Sequence, residues 1–233
     1  MTRTYSNLTT DNIKALLDIL VDHSSVPDIY KHTMTKIGIS LGDAVLAEIG
    51  DDRASVYLAC TVEDADYLAR GMLSRLEQRF KSVGFACFWN ERFSPFDIDD
   101  LQVAPIIKKY QEPAGRTVNY LVVVKSIISG ACVVRTNLTH LIQRIEPEKI
   151  FIVAPVMYYQ AEQKLKNEFD KSIYNKFQFF YFAEDDQRTS EGEVLPGIGG
   201  MIYNRLGFQG QEDKNKYVPE VVKSRRSKLA AKT

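Results

Sequence analysis

The sequence predicts an α/β fold built around a parallel sheet, and two observations support this. First, short apolar runs alternate with amphipathic helical segments over much of the chain, a pattern typical of right-handed βαβ units. Second, each run is predominantly apolar, as expected of a strand that is buried on both faces of a sheet. The runs are residues 54–61, 84–89, 119–124, 149–156 and 177–183.

The composition fits an intracellular globular chain. Of its 233 residues 45% are apolar, enough for a buried core, and the 30 basic residues balance the 30 acidic ones. This balance gives no overall bias toward nucleic acid or a membrane surface. The beginning of the sequence lacks the apolar core of a signal peptide, and no apolar stretch is long enough to span a bilayer. We therefore expect a cytoplasmic protein with no membrane contact.

The cysteines indicate a reducing compartment. Cys60, Cys87 and Cys132 lie far apart, outside any CxxC spacing, and each lies in or beside an apolar run. We therefore expect buried, unreactive thiols rather than disulfides or metal ligands.

Two helices are predicted before the first apolar run. Thr10 can cap the first, and Pro27 can open a second that extends toward Glu48. Four apolar residues share one face of the first helix, and we expect them to cover the domain core or a partner chain. They are Ile13, Leu16, Leu17 and Leu20.

The chain is predicted to have three parts. Residues 1–50 form an N-terminal helical extension, residues 51–210 form the main domain, and residues 211–233 form a basic C-terminal tail with a surface helix. The tail carries four cations that are either solvated or available to a nucleic-acid or partner phosphate. They are Lys223, Arg225, Arg226 and Lys228.

Ligands of an open parallel sheet bind beyond the carboxyl ends of its strands. This rule selects residues 61–66, residues 125–132 and the loop after Ala183. In the second segment, a serine hydroxyl and the backbone N–H groups at a helix start make a phosphate cradle, and a glycine permits close approach. The alternative is an ordinary turn in which the serine caps the helix. The candidate phosphate-binding residues are Ser129, Gly130, Ala131 and Cys132.

At this point the sequence resembles the type I phosphoribosyltransferases. In that family an apolar strand ends in two acidic residues, and a Thr/Ser-Gly pair that opens a helix follows three positions later. The run LVVVKSIISGACVV (121–134) aligns without gaps and places Ser129-Gly130 on the pair that binds the 5′-phosphate of phosphoribosyl pyrophosphate. The resemblance extends from the first core strand to near Gly207. It implies a phosphoribosyltransferase-like parallel sheet flanked by helices, with a small hood.

A second match lies near the end of the main domain. The segment VLPGIGGMIYNRLG (194–207) is similar to the segment with which uracil phosphoribosyltransferases hold the base. The resemblance implies base-binding roles for four residues of this segment. They are Pro196, Gly197, Gly199 and Arg205.

The sequence departs from the family at the positions that carry its chemistry. The acidic pair, which holds the ribose hydroxyls directly or through Mg²⁺, falls on Val124 and Lys125. A valine cannot accept a hydrogen bond, and a lysine repels a metal ion. In addition, Gly200 stands where an aspartate is usual, and one residue is inserted before Arg205. The resemblance therefore implies Mg²⁺ only if the chain is active, and it leaves the catalytic residues unassigned and predicts no metal ligand.

The family carries its pyrophosphate-binding loop after the first core strand, which here is Thr61, Val62, Glu63 and Asp64. We favour the alternative that Glu63 and Asp64 lie in the first turn of a helix, where negative charge is stabilising. Thr61 and Val62 would then supply backbone contacts at most.

Residues 90–118 are predicted as a mostly irregular excursion, where family members have a flexible loop that closes over the reacting centre. Its cations either neutralise a departing pyrophosphate or lie on a solvated surface. The side chains concerned are Lys108, Lys109, Tyr110 and Arg116. The histidines His23, His32 and His140 share no spacing that suggests a metal site or a catalytic triad.

Two functions are consistent with these residues. The one we place first is a protein that binds a nucleotide or phosphoribosyl ligand without catalysis, as a regulatory subunit of a homo-oligomer or hetero-complex. The alternative is an enzyme that transfers phosphoribose from phosphoribosyl pyrophosphate to a pyrimidine-like base through an oxocarbenium-like transition state.

Overall fold

The computed structural model describes residues 2–95, 102–189 and 192–231. Its centre is a mostly parallel sheet, and separate apolar clusters fill the space between each face of the sheet and the helices that cover it. The predicted α/β class is confirmed, with the mostly parallel sheet flanked by helices that the family resemblance implies.

The strands include all five apolar runs of the sequence. They are β1 (Arg3–Tyr5), β2 (Val56–Thr61), β3 (Val83–Asn90), β4 (Ile106–Gln111), β5 (Thr117–Val124), β6 (Ile127–Ile128), β7 (Glu146–Tyr158), β8 (Phe177–Asp185), β9 (Gln187–Arg188) and β10 (Val194–Leu195).

The helices connect the strands, and three of them follow the last strand. They are α1 (Asp11–Val21), α2 (Pro27–Glu48), α3 (Val62–Asp64), α4 (Arg70–Arg79), α5 (Cys132–Ile142), α6 (Ala161–Asn167), α7 (Lys171–Tyr174), α8 (Ile202–Arg205), α9 (Gln211–Lys216) and α10 (Glu220–Ala230). A π-helical turn, Ala65–Ala69, joins α3 to α4.

The sheet has the strand order β1-β8-β7-β5-β2-β3-β4, with β6 paired to β7. The five strands from β8 to β3 are parallel to their neighbours. Strands β1 and β4 run antiparallel at the two edges. The carboxyl ends of the parallel strands therefore meet at one edge of the molecule, where the fold rule places ligands.

The prediction of an irregular excursion over residues 90–118 is wrong for β4. Ile106–Gln111 pairs antiparallel with β3 and carries two lysines, which a strand at the edge of a sheet tolerates. Residues 96–101, which precede β4 in the sequence, lie outside the described residues.

The N-terminal helices are part of the core. Thr10 caps α1 as predicted, since its side chain accepts the N–H of Ile13 over 3.3 Å. The four apolar side chains predicted to cover a core or a partner are buried within this chain, in the cluster that also contains α2 and α4. The first of the two predicted alternatives is therefore confirmed.

The C-terminal segment is docked rather than solvated. Arg225 binds the carboxylates of Glu112, over 2.8 Å, and Glu77, and the Arg225 side chain is only 12% exposed. Lys223 pairs with Glu220. The tail cations therefore do not form one free basic patch, although Arg226 and Lys228 are exposed.

Candidate functional site

The candidate site lies at the carboxyl ends of β2, β5 and β8. Each predicted group of site residues begins at or after the end of one of these strands, so the topology brings the start of each group to the same edge of the sheet. Thr61–Asp64 follow β2, Ser129–Cys132 lie in the connection from β5 to α5, and Pro196–Arg205 follow β8 through the short β9–β10 hairpin.

A buried ion cluster fills the position between β2 and β5. The ammonium group of Lys125 donates to Asp64 Oδ2 over 2.8 Å and lies 3.1 Å from Glu63 Oε1. The Thr61 hydroxyl donates to Asp64 Oδ2 over 2.7 Å, and the N–H of Ser126 donates to Asp64 Oδ1 over 3.2 Å. The side chains of the three charged residues are at most 7% exposed. Glu63 and Asp64 lie in the first turn of α3, in agreement with the alternative favoured from the sequence. Their main contacts, however, are with Lys125.

Both sides of this cluster are charged at neutral pH. Burial alone would raise the pKa of Glu63, but the ammonium groups of Lys125 and Lys214 outweigh it and hold that pKa at about 2. Burial alone would lower the pKa of Lys125, but the carboxylates of Asp64 and Glu63 raise it above its usual value. The cation that pairs with the carboxylates of Asp64 and Glu63 is therefore a side chain of the same protein.

Lys214 of α9 borders the site and belongs to the C-terminal segment of the chain. This lysine is 1% exposed, and its ammonium group donates to the Asn90 carbonyl at the end of β3 over 2.6 Å. It also lies 5.2 Å from the centre of the Tyr203 ring. Burial lowers the pKa of Lys214. No periodic or motif signal marks this residue in the sequence, because it lies in a polar segment far from the matched motifs.

The predicted phosphate-binding residues lie where β6 leads into α5. The Ser129 hydroxyl donates to the carbonyl of Gly192 in the hairpin segment, and Ser129 to Cys132 are half-buried. Helix α5 begins at Cys132 with Ala131 as its N-cap and without a side-chain capping bond. The alternative that Ser129 caps the helix is therefore wrong.

Arg188 lies directly over this loop and was missed by the sequence analysis. A Cβ atom on Gly130 would lie 4.0 Å from Arg188 Nη2, and one on Gly192 would lie 2.7 Å from it. The guanidinium therefore lies against two glycine backbones. Within the described part of the chain it makes no hydrogen bond or ion pair. Its one sequence signal was its position in the loop after Ala183, at the predicted edge.

The predicted base-binding residues divide into two groups. Gly197 is fixed to the sheet, since its N–H donates to Asp185 Oδ2 over 2.8 Å and its carbonyl accepts from Arg3 over 2.6 Å. Arg205 turns the other way and donates to the carbonyls of Leu20 and Asp22 at the end of α1.

Gly199 is also turned toward α1, because a Cβ at this position would lie 2.0 Å from the Leu20 carbonyl oxygen. Pro196 and Gly197 are thus the members of the predicted set that stay with the β8 end.

The four side chains singled out in the predicted excursion have partners within the chain. Lys108 donates to the Asn215 carbonyl, Lys109 contacts His140, and the Tyr110 hydroxyl donates to Glu112. Arg116 pairs with Glu146 over 2.6 Å. These side chains therefore belong to β4 and the turn after it rather than to a loop over the site.

The remaining candidates for chemistry are the cysteines and possible metal ligands. Cys60 and Cys87 are buried as predicted, and Cys132 is half-buried; none forms a disulfide. Among the described residues no group of His, Cys, Asp and Glu side chains has a metal-binding arrangement. Nor does any helix in the described ranges have the length and apolar character needed to cross a membrane.

The comparisons with known proteins agree with the fold. No family model and no curated protein matches the sequence. The chain is similar in structure to the AQ2163 protein from Aquifex aeolicus, with 14% sequence identity and a TM-score of 0.69. This likeness covers 89% of this chain and 99% of that one, so the two chains share a fold over most of their lengths.

More distant likenesses are found to phosphoribosyltransferases. For the Trypanosoma cruzi hypoxanthine phosphoribosyltransferase in complex with the product IMP, the identity is 9% and the TM-score 0.39, over 70% of this chain and 80% of that one. For the L. donovani hypoxanthine-guanine enzyme the values are 12% and 0.38, over 58% and 78%. Likenesses of this size carry no argument about activity.

Proposed function

We propose that this chain is a phosphoribosyltransferase-like protein that binds a nucleotide or phosphoribosyl ligand without transferring the ribosyl group. It would act as a binding or regulatory subunit of a homo-oligomer or hetero-complex. The observation that carries the proposal is the buried contact of Lys125 with Asp64 and Glu63.

This contact bears on catalysis through charge. Transfer of phosphoribose needs negative groups that hold the ribose and the Mg²⁺ of the pyrophosphate, and the resemblance places that acidic pair on Val124 and Lys125. The two carboxylates that do reach this position, Asp64 and Glu63, are already paired with the Lys125 ammonium group. A magnesium ion would have to displace a buried lysine to reach them, which is unfavourable.

Phosphate binding remains compatible with the same edge. The backbone at Gly130 to Cys132 precedes the start of α5, where helix N–H groups and the helix dipole favour an anion. Arg188 adds a permanent positive charge next to Gly130. Gly197, whose N–H is bound by Asp185, and the preceding Pro196 would frame the base or its equivalent.

Ligand-dependent thermal unfolding tests this proposal. We expect UMP or AMP to raise the melting temperature without added metal, because the phosphate cradle needs none. Phosphoribosyl pyrophosphate should give the same rise with and without Mg²⁺. In a parallel assay, uracil and phosphoribosyl pyrophosphate should release no pyrophosphate at millimolar Mg²⁺.

The alternative function predicts different results. A Mg²⁺-dependent rise with phosphoribosyl pyrophosphate, together with steady pyrophosphate release that is lost in Ser129→Asp, would establish an active transferase and contradict the proposal. Absence of any rise with the mononucleotides would also contradict it. Sedimentation of the full chain at several concentrations tests the proposed self-association separately.

A further inference from the structure

A second concave site lies at the other end of the sheet. Helices α4 and α10 and the amino end of β3 enclose a groove of about 640 Å³. This volume is within the range of small-molecule sites. Its apolar lining includes Leu73, Phe80 and Val221. Because it adjoins the amino end of β3, the groove is separate from the candidate site at the carboxyl ends of the strands.

The charged side chains of the groove leave an excess of positive charge. Arg225 engages both lining carboxylates, Glu112 and Glu77. Three further cations line the groove and make no ion pair within the described residues. They are Arg70, Lys81 and Lys228. The groove is therefore complementary to an anion.

Neutral hydrogen-bond donors accompany these cations. Ser82 and Ser224 line the groove, and neither hydroxyl donates to a described residue. The backbone N–H groups of Lys81 and Ser82, in the turn between α4 and β3, also lack a protein acceptor in the part of the chain that the structure describes. A phosphate group has several acceptor oxygens and suits such a set of donors better than a single carboxylate does.

We propose that this groove binds a phosphorylated small molecule. Lys81, Ser82 and Lys228 hold its phosphate, and its apolar portion lies on Val221 and on the exposed side chain of Leu229. The inference rests on the lining of the groove alone and is independent of the function proposed for the carboxyl edge.

Lysine footprinting with AMP as the probe locates the site. Acetylation of Lys81 and Lys228, followed by mass spectrometry, should fall by about fivefold at millimolar AMP, because a bound phosphate shields both amines. Lys36 and Lys171, which are exposed and lie outside the groove, should react equally with and without AMP. Adenosine should protect none of the four. Equal protection by adenosine, or no protection by AMP, overturns the proposal.

Calorimetry with paired variants supplies a second measurement. The double variant Lys81→Ala/Lys228→Ala should weaken AMP binding at the groove about tenfold or more, whereas Lys36→Ala/Lys171→Ala should leave it unchanged. An Arg188→Ala background should weaken phosphate binding at the carboxyl edge about tenfold but keep the Lys81 and Lys228 footprint. If the groove double variant and its control bind AMP equally in that background, the proposal is wrong.

Discussion

Asp66 caps a helix that begins far along the chain: its Oδ1 accepts the N–H of Val221, 155 positions later, over 2.9 Å. Its Oδ2 accepts the N–H of Glu220 over 2.8 Å and the hydroxyl of Tyr217. Because α10 begins at Glu220, one carboxylate from the π-helical turn satisfies N–H groups that the helix itself cannot satisfy.

Asp66→Ala should therefore loosen the C-terminal helix. We expect a loss of about 2 kcal/mol in the free energy of unfolding, since two N–H groups and a hydroxyl lose their acceptor. Amide protons of residues 220–230 should exchange faster. Asp28→Ala, which removes an exposed carboxylate from the first turn of α2, is the control and should cost less than about 1 kcal/mol. Equal losses in the two variants would contradict the capping role.

Lys125→Met should strongly destabilise the protein. It keeps the length of the side chain but leaves two buried carboxylates without their cation, which costs about 3–5 kcal/mol. Lys149→Met is matched in chemistry but removes a half-exposed contact with Glu48 at 3.8 Å, and it should cost about 0–1 kcal/mol. Urea denaturation of both variants measures the difference, and similar midpoints would show that the cluster is not stabilised by this lysine.

Acid should weaken the fold through Glu63. The folded state holds the pKa of this carboxyl at about 2, below its usual 4.5, so the folded state binds this proton less readily than the unfolded state. The stabilisation is fully present above the usual pKa and is lost as the pH falls from 4.5 toward 2. Urea denaturation at several pH values should show this loss in the wild type and a shallower slope in Glu63→Gln. Parallel slopes would contradict the assignment.

Arg188→Ala should weaken phosphate binding at the carboxyl edge by about tenfold, because it removes the cation next to Gly130. Arg53→Ala is the control: this arginine is 91% exposed and pairs only with Asp51 among the ion pairs of the described residues. Isothermal titration with UMP compares the two. Stability should be unchanged in both, so an equal loss of affinity would show a general charge effect.

Gly199→Ala should be much more disruptive than Gly207→Ala. Both glycines have positive φ angles, +78° and +87°, so an alanine costs about 1 kcal/mol at either position through backbone strain. At Gly199 the new Cβ would also lie 2.0 Å from the Leu20 carbonyl oxygen, whereas nothing lies within 4 Å at Gly207. Melting temperatures should therefore separate the two variants, and equal values would contradict the close packing against α1.

The strands of the core were predictable because burial on both faces requires a locally apolar sequence. Each run is predominantly apolar, and each matches a parallel strand within a few residues, although β7 extends farther than its run, from Glu146 to Tyr158. Strand β4 has no such apolar pattern, because an edge strand with exposed lysines resembles a polar loop segment in sequence.

The ion cluster was not predictable for a different reason. Lys125 and Asp64 are 61 positions apart, and only the pairing of β2 with β5 brings them together. Lys214 is farther still, and nothing in its own polar neighbourhood distinguishes a buried lysine from a solvated one. The motif position of Lys125 did indicate that the usual acid was missing, but not that the chain supplies carboxylates from β2.

The single tryptophan of the chain has a use that follows from its place. Trp89 is buried near the end of β3, donates from its indole to the Tyr217 carbonyl, and has the Lys108 ammonium group 5.3 Å from its ring centre. Its fluorescence is therefore an intrinsic optical reporter of the contact between the sheet and the C-terminal segment. Detachment of that segment would hydrate the indole and shift its emission to longer wavelength, so opening can be timed by stopped flow without attaching a dye.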